Sequence, residues 1–155
     1  VSNRDRLAAA GLTLPPVPAP AAAYVPAIRH GDLVVVSGQL PLRDGVLLAT
    51  GLVGTDVTQD DAAELARVCA LNALAAAASV AGGLDAIASV LRVGVFVAGA
   101  DGFAAQHLVA NGASQLFGDV LGPDAVHARA AVGVARLPLD APVEVEAMMA
   151  VVAGA

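Results

Sequence analysis

Cysteine and aromatic residues are nearly missing from this chain of 155 residues, which has one Cys, no Trp, one Tyr and three Phe. With Cys69 alone an intrachain disulfide is impossible, and the composition fits a reducing compartment such as the cytoplasm. Positive charge is also scarce. Eight basic residues against fourteen acidic ones leave a net charge of −6, which repels the phosphate backbone behind most non-specific nucleic-acid affinity. A polynucleotide substrate is therefore disfavoured. His30, His107 and His127 share no ligand spacing, so no metal is implied and each reads as structural or exposed. The glycines from Gly51 to Gly54 come without a P-loop lysine or the strand-glycine-helix order of a dinucleotide site, and no cofactor is expected.

What is abundant is small and apolar. The chain is 57% hydrophobic but 3% aromatic, so its core must be built from Ala, Val and Leu. A mean hydropathy of +0.74 calls for either a membrane span or apolar surface hidden between subunits. The charge-free run from Val68 to Leu84 is short for a span and is interrupted by Asn72, Ser79, Gly82 and Gly83. The apolar stretch after Arg4 and Arg6 ends at Pro15 and Pro16, near the lower limit of a signal peptide. Burial between copies is the expectation, without a membrane. Residues 1–155 read as a single domain with an N-terminal arm, 1–23.

Along the chain, Ser2 caps a short helix through Ala10, with Gly11 at its end. Pro15, Pro16, Pro18, Pro20 and Pro26 keep the next segment extended and lay Tyr24 against something else. Leu33 to Gln39 is a buried strand, and Asp44-Gly45 a hairpin turn. Thr58, with Asp61 three residues on, opens a helix in the manner of a capping box. After Arg67 that helix is apolar nearly all round, which demands cover from the sheet or another subunit. A strand at Ser89–Val97, a helix at Phe103–Leu121 and strands at Ala130–Ala135 and Val143–Met149 complete the order β-β-β-α-β-α-β-β. The class is α+β, an antiparallel-rich sheet with two helices on one face. Cys69 reads as a small core residue.

Alternation puts Glu144 and Glu146 on one face of the last strand, with Val143 and Val145 on the other. On pattern alone this is a solvated sheet face, and Arg129 a surface residue or ion-pair partner. If the last two strands form a simple hairpin turning near Leu139, Val134 faces Glu144 and Arg129 lies roughly 16 Å away. A site using both would then draw them from neighbouring subunits.

Two segments, "YVPAIRHGDLVVVSGQLP" (Tyr24 to Pro41) and "HARAAVGVARLPLDAPVEVEA" (His127 to Ala147), resemble the two signature regions of the Rid (YjgF-like) family, historically labelled endoribonuclease L-PSP. The "VANGASQLF" helix, Val109 to Phe117, is similar to that of one subgroup. The resemblance implies a chorismate-mutase-like fold, a homotrimer with a site at each subunit junction, and hydrolysis of small 2-imino or enamino acids to 2-keto acids and ammonia. It makes Arg129 the clamp for the substrate carboxylate and Glu144 the acid that positions water. Tyr24 and Ser37 match residues lining the pocket, and Asn111 an asparagine nearby. The family often carries Ser and Cys one and two positions after the arginine, where this chain has Ala130 and Ala131. No thiol can act there, although backbone N–H groups, that of Ala131 included, remain able to bind developing charge. A non-catalytic carboxylate-binding or regulatory trimer is the alternative. An endoribonuclease fits the charge and the few aromatics less well.

Overall fold

The computed structural model describes residues 1–17 and 23–152. Pro18 and Pro20 of the expected connector lie outside the described residues. Helix α1 (Asn3–Ala9) starts at Ser2, whose hydroxyl accepts from the Asp5 N–H while the Asp5 carboxylate accepts from the Ser2 N–H. The reciprocal capping box therefore forms here. At α2 (Gln59–Ala81) only the Thr58 half is made, the Asp61 N–H donating to Oγ1 at 3.1 Å. Helix α2 ends at Gly82, whose φ of +100° suits a residue without a side chain.

Four strands precede α2 where the sequence suggested three: β1 (Ala27–His30), β2 (Leu33–Gln39), β3 (Leu42–Arg43) and β4 (Val46–Leu47). The last two pair across the Asp44-Gly45 turn, both residues at positive φ, as a two-residue hairpin requires. After α2 come β5 (Ile87–Ala98), α3 (Gln106–Leu121), β6 (Ala128–Val134) and β7 (Val143–Val151). Helix α3 begins three residues later than expected, because Phe103 is used as a plug whose ring lies against the backbone of Gly54 and Gly99.

The main sheet has the order β1-β2-β7-β5-β6. This corrects the hairpin expected of the last two strands. β6 runs parallel to β5, and β7 lies antiparallel between β5 and β2, so β5 separates the two. The unit β5-α3-β6 is a strand-helix-strand crossover, which must give a parallel pair.

One face of the sheet is covered by α2 and α3, and the core between them is built from small residues. Ala66, Ala70, Ala73, Leu74 and Ala77 of α2 meet Val34, Val93, Val95, Val143 and Val145 of the sheet in one buried cluster. Leu74 and Phe117 are fully buried, each contributing on the order of 2 kcal/mol. By length and composition α2 is apolar enough to cross a membrane, but its residues from Asn72 to Ala78 are all buried inside this chain. Of the two covers expected for it, the sheet or another subunit, the sheet of this chain supplies the one seen, with α3 beside it. The apolar surplus lies instead on the opposite face of the sheet, where Ile28, Leu33, Val35, Val132 and Met148 stand exposed.

Candidate functional site

Residues paired across a sheet share a face, so the register sorts the candidate residues. Arg129 pairs with the buried Val93, which puts its side chain on the helix side at the edge strand β6. There α3 receives it. Nη1 donates to Asn111 Oδ1 at 2.9 Å and to Ser114 Oγ at 3.1 Å, and Nη2 donates to the His107 carbonyl at 3.1 Å. His107, Asn111 and Ser114 are spaced by four and three residues, so they form one stripe of α3 facing β6. Ser114 in turn lies 2.9 Å from His127 Nε2, and His127 Nδ1 lies 2.6 Å from the Ala125 carbonyl. Ala131 follows Arg129 on the same face, half-buried and paired with Val95.

Glu144 pairs with Phe96 and Glu146 with Gly94, so both carboxylates stand on the open face. Opposite Glu146, β2 bulges: Val36 pairs with Ala147 and Gln39 with Val145, so Ser37 and Gly38 together face one residue. The glycines make room. Any Cβ at Gly38 would collide with the Glu144 carboxylate, and one at Gly94 would come within 2.7 Å of Glu146 Oε1. Glu146 is bridged by Arg92 at 3.4 Å, whereas Glu144 has no ion-pair partner among the described residues. Burial raises the Glu144 pKa above the ordinary glutamate value, and the neighbouring Glu146 charge adds to the shift.

Tyr24 is about half exposed and precedes β1. Its segment is tied to the bulge, because the Ser37 N–H donates to the Pro26 carbonyl at 2.9 Å and the Ser37 hydroxyl to that of Val25 at 2.7 Å. The structure thus makes two groups of the candidate residues. Arg129, Asn111 and Ala131 lie on the helix side of β6. Glu144, with Ser37 and the Tyr24 segment, lies at the open face.

Those groups do not meet within one chain. Arg129 stands three residues along and two strands across from Glu144, roughly 14 Å in the sheet plane, and on the opposite face. A cavity of about 540 Å³ lies between α1 and α2 and includes neither residue. Sequence reasoning missed Ser114, His127, Gly38 and the Arg92–Glu146 bridge. The stripe His107, Asn111, Ser114 was the available signal for the first.

A family model described as Endoribonuclease L-PSP matches residues 16–152. Protein TCP17 of Trypanosoma cruzi is 41% identical over 149 residues, covering 96% of this chain and 91% of that protein. The crystal structure of Atu1372 from Agrobacterium tumefaciens superposes with a TM-score of 0.88 at 45% identity, over 97% of this chain and 92% of that one. The YjgF gene product of E. coli superposes with a TM-score of 0.63 at 26% identity, over 89% and 97% of the two chains. The mostly antiparallel sheet under its helices is the chorismate-mutase-like arrangement of these neighbours.

Proposed function

The chain belongs to the endoribonuclease L-PSP family of YjgF-like proteins, and from that membership we propose that it hydrolyses small 2-imino acids to 2-keto acids and ammonia without a cofactor. The observation that carries this reading is Arg129: three of its N–H groups are engaged by α3, and the remaining ones are left for a ligand. A guanidinium held in this way presents a planar, pre-oriented fork to a carboxylate. Tyr24, Ser37 and the Ala131 backbone line the same pocket in this reading.

Because Arg129 and Glu144 stand on opposite faces of one sheet, the site takes them from two chains of a homotrimer, whose contact covers the apolar open face. Water bound by Glu144 attacks the iminium carbon while the carboxylate takes its proton, and the C=N π electrons move to nitrogen. The proton then returns from Glu144 to that nitrogen. The C–N bond breaks, its electrons leave with ammonia, and the hydroxyl proton passes to ammonia as the keto group forms. The raised pKa of Glu144 makes its carboxylate a stronger base than an ordinary glutamate, which favours taking a proton from water. The chain contains no lysine, so no lysine side chain offers imine exchange as another route. The single buried cysteine fits action in the cytoplasm.

Ala130 and Ala131 favour a second reading, a trimer that binds keto acids without turnover. One experiment separates them: the protein is added to an amino-acid oxidase that generates imino acids, and keto acid is timed. Acceleration is expected. Arg129→Lys keeps the charge but loses the fork, and misplacing substrate by about 1 Å costs on the order of a hundredfold in rate. A lysine variant as fast as wild type would remove the clamp from the mechanism. Keto-acid binding without acceleration would select the regulator. RNA cleavage that tracks Arg129 would overturn both.

A further inference from the structure

Arg129 is exposed, yet it is held by a relay that begins in the core. A carbonyl oxygen only accepts, so the 2.6 Å contact to Ala125 places the hydrogen on His127 Nδ1. In the neutral ring Nε2 is then an acceptor, and the Ser114 hydroxyl 2.9 Å away donates to it. With its hydrogen committed there, Ser114 Oγ offers only lone pairs to Arg129 Nη1. The imidazole is itself fixed edge-on against the fully buried Phe117, with centroids 6.1 Å apart and planes at 80°.

We infer that Ser114 and His127 are a positioning pair that aims Arg129, and that carboxylate affinity depends on both although neither touches substrate. The inference rests on the reading of Arg129 as the carboxylate clamp. Ser114, Asn111 and the His107 carbonyl follow one another along α3, and in that order they take the N–H groups round the rim of the guanidinium. The edge left over is Nε–H with the second Nη2–H. These two point the same way and match the two oxygens of one carboxylate. Without the Ser114 acceptor the guanidinium is free to turn about its last torsions, and the ordering of a long side chain is charged to ligand binding instead of folding.

The test is titration of the full chain with pyruvate, a stable keto acid, and with pyruvamide, which lacks the carboxylate. Ser114→Ala and His127→Phe are expected to raise the pyruvate Kd about tenfold, the scale of a lost hydrogen bond to a charged group, while pyruvamide affinity stays put. Ser114→Thr, which keeps the hydroxyl, and His127→Gln, which keeps an acceptor, should bind close to wild type. In an Arg129→Ala background Ser114→Ala should add nothing. If Ser114→Ala and His127→Phe bind as wild type while Arg129→Ala does not, the clamp stands and the positioning pair falls. Equal losses in Ser114→Thr and Ser114→Ala would also sink the pair, as would equal losses of pyruvate and pyruvamide. If Arg129→Ala binds pyruvate normally, the clamp itself fails and takes this inference with it.

Discussion

Glu144 and Glu146 are two residues apart on one strand and face, and their surroundings separate them. Glu146 leans on Gly94 with Arg92 beside it, whereas Glu144 lies over Gly38 without a paired cation among the described residues. Burial first, and the Glu146 charge second, raise the Glu144 pKa in the folded state. The sign of the consequence follows from proton counting. Below the ordinary glutamate value folded and unfolded chains both hold the proton, and the carboxyl costs nothing. From there up through the raised folded pKa the folded state binds more protons, so stability falls as pH rises and stays lowered above it. Glu144→Gln is therefore expected to be more stable than wild type at neutral pH, with the difference closing in acid, while turnover slows. Thermal unfolding across the acid range checks this, and a difference that ignores pH would remove burial of the charge as its cause. At this scale the alternation of β7 was legible, with Glu144 and Glu146 on one face and Val143 and Val145 on the other, while the roles given to Arg129 and Glu144 came from the family resemblance and not from the pattern. The Ser114–His127 link was not legible, because it joins a helix to the segment after it, and only the His107, Asn111, Ser114 spacing marks its helix end in the sequence.

Within α3 two glycines look alike in sequence and differ in space. At Gly112 an added Cβ would overlap the backbone carbonyl of Ala63 on α2, and backbone cannot yield as a flexible side chain does. At Gly118 the same atom would meet nothing within 4 Å. Glycine inside a helix costs about 1 kcal/mol relative to alanine, so Gly118→Ala should raise the thermal midpoint. Gly112→Ala should lower it, since the gain in propensity is outweighed by the helices moving apart. A Gly112→Ala variant more stable than wild type would show that α2 and α3 are not held in contact there. The elements themselves were largely readable: Ser2, Thr58, Gly82 and the Asp44-Gly45 turn carry their signals locally. Pairing was not. A short link from β6 to β7 reads as a hairpin, but β6 was already committed as the parallel partner of β5 through the α3 crossover. β7 then takes the other edge of β5, where the Ala98 N–H donates to the Pro142 carbonyl at 3.0 Å. The Asp140 carbonyl accepts from the Gly51 N–H at 2.9 Å and anchors the link away from a tight turn.

At the scale of the molecule, the sheet has one face packed and one bare. Ile28, Val35 and Met148 lie in one row of paired residues with Leu33 beside them, an apolar strip on the bare face, and Phe96 and Val132 form a second pair beyond the Arg92–Glu146 bridge and Glu144. The proposed trimer covers it with a neighbour, which also brings one chain's Glu144 to another chain's Arg129. Light scattering is expected to report about three times the chain mass of 15.2 kDa, and Met148→Lys, harmless on a solvated face, should lower that value by placing charge in the contact. The sharper expectation concerns mixed assemblies. Chains with Arg129→Ala and chains with Glu144→Gln are each expected to be nearly inactive alone. If every site takes its arginine from one chain and its glutamate from the next, an equal mixture unfolded and refolded together places an intact pair at about a quarter of the sites. Imine hydrolysis should then return to roughly that fraction of the wild-type rate. If both residues served a site within one chain, mixing would restore nothing, because every site would lack one of them. A mixture that assembles as trimers and stays inactive would therefore overturn the shared site, whereas full activity in the Glu144→Gln chains alone would remove Glu144 from the chemistry at Arg129.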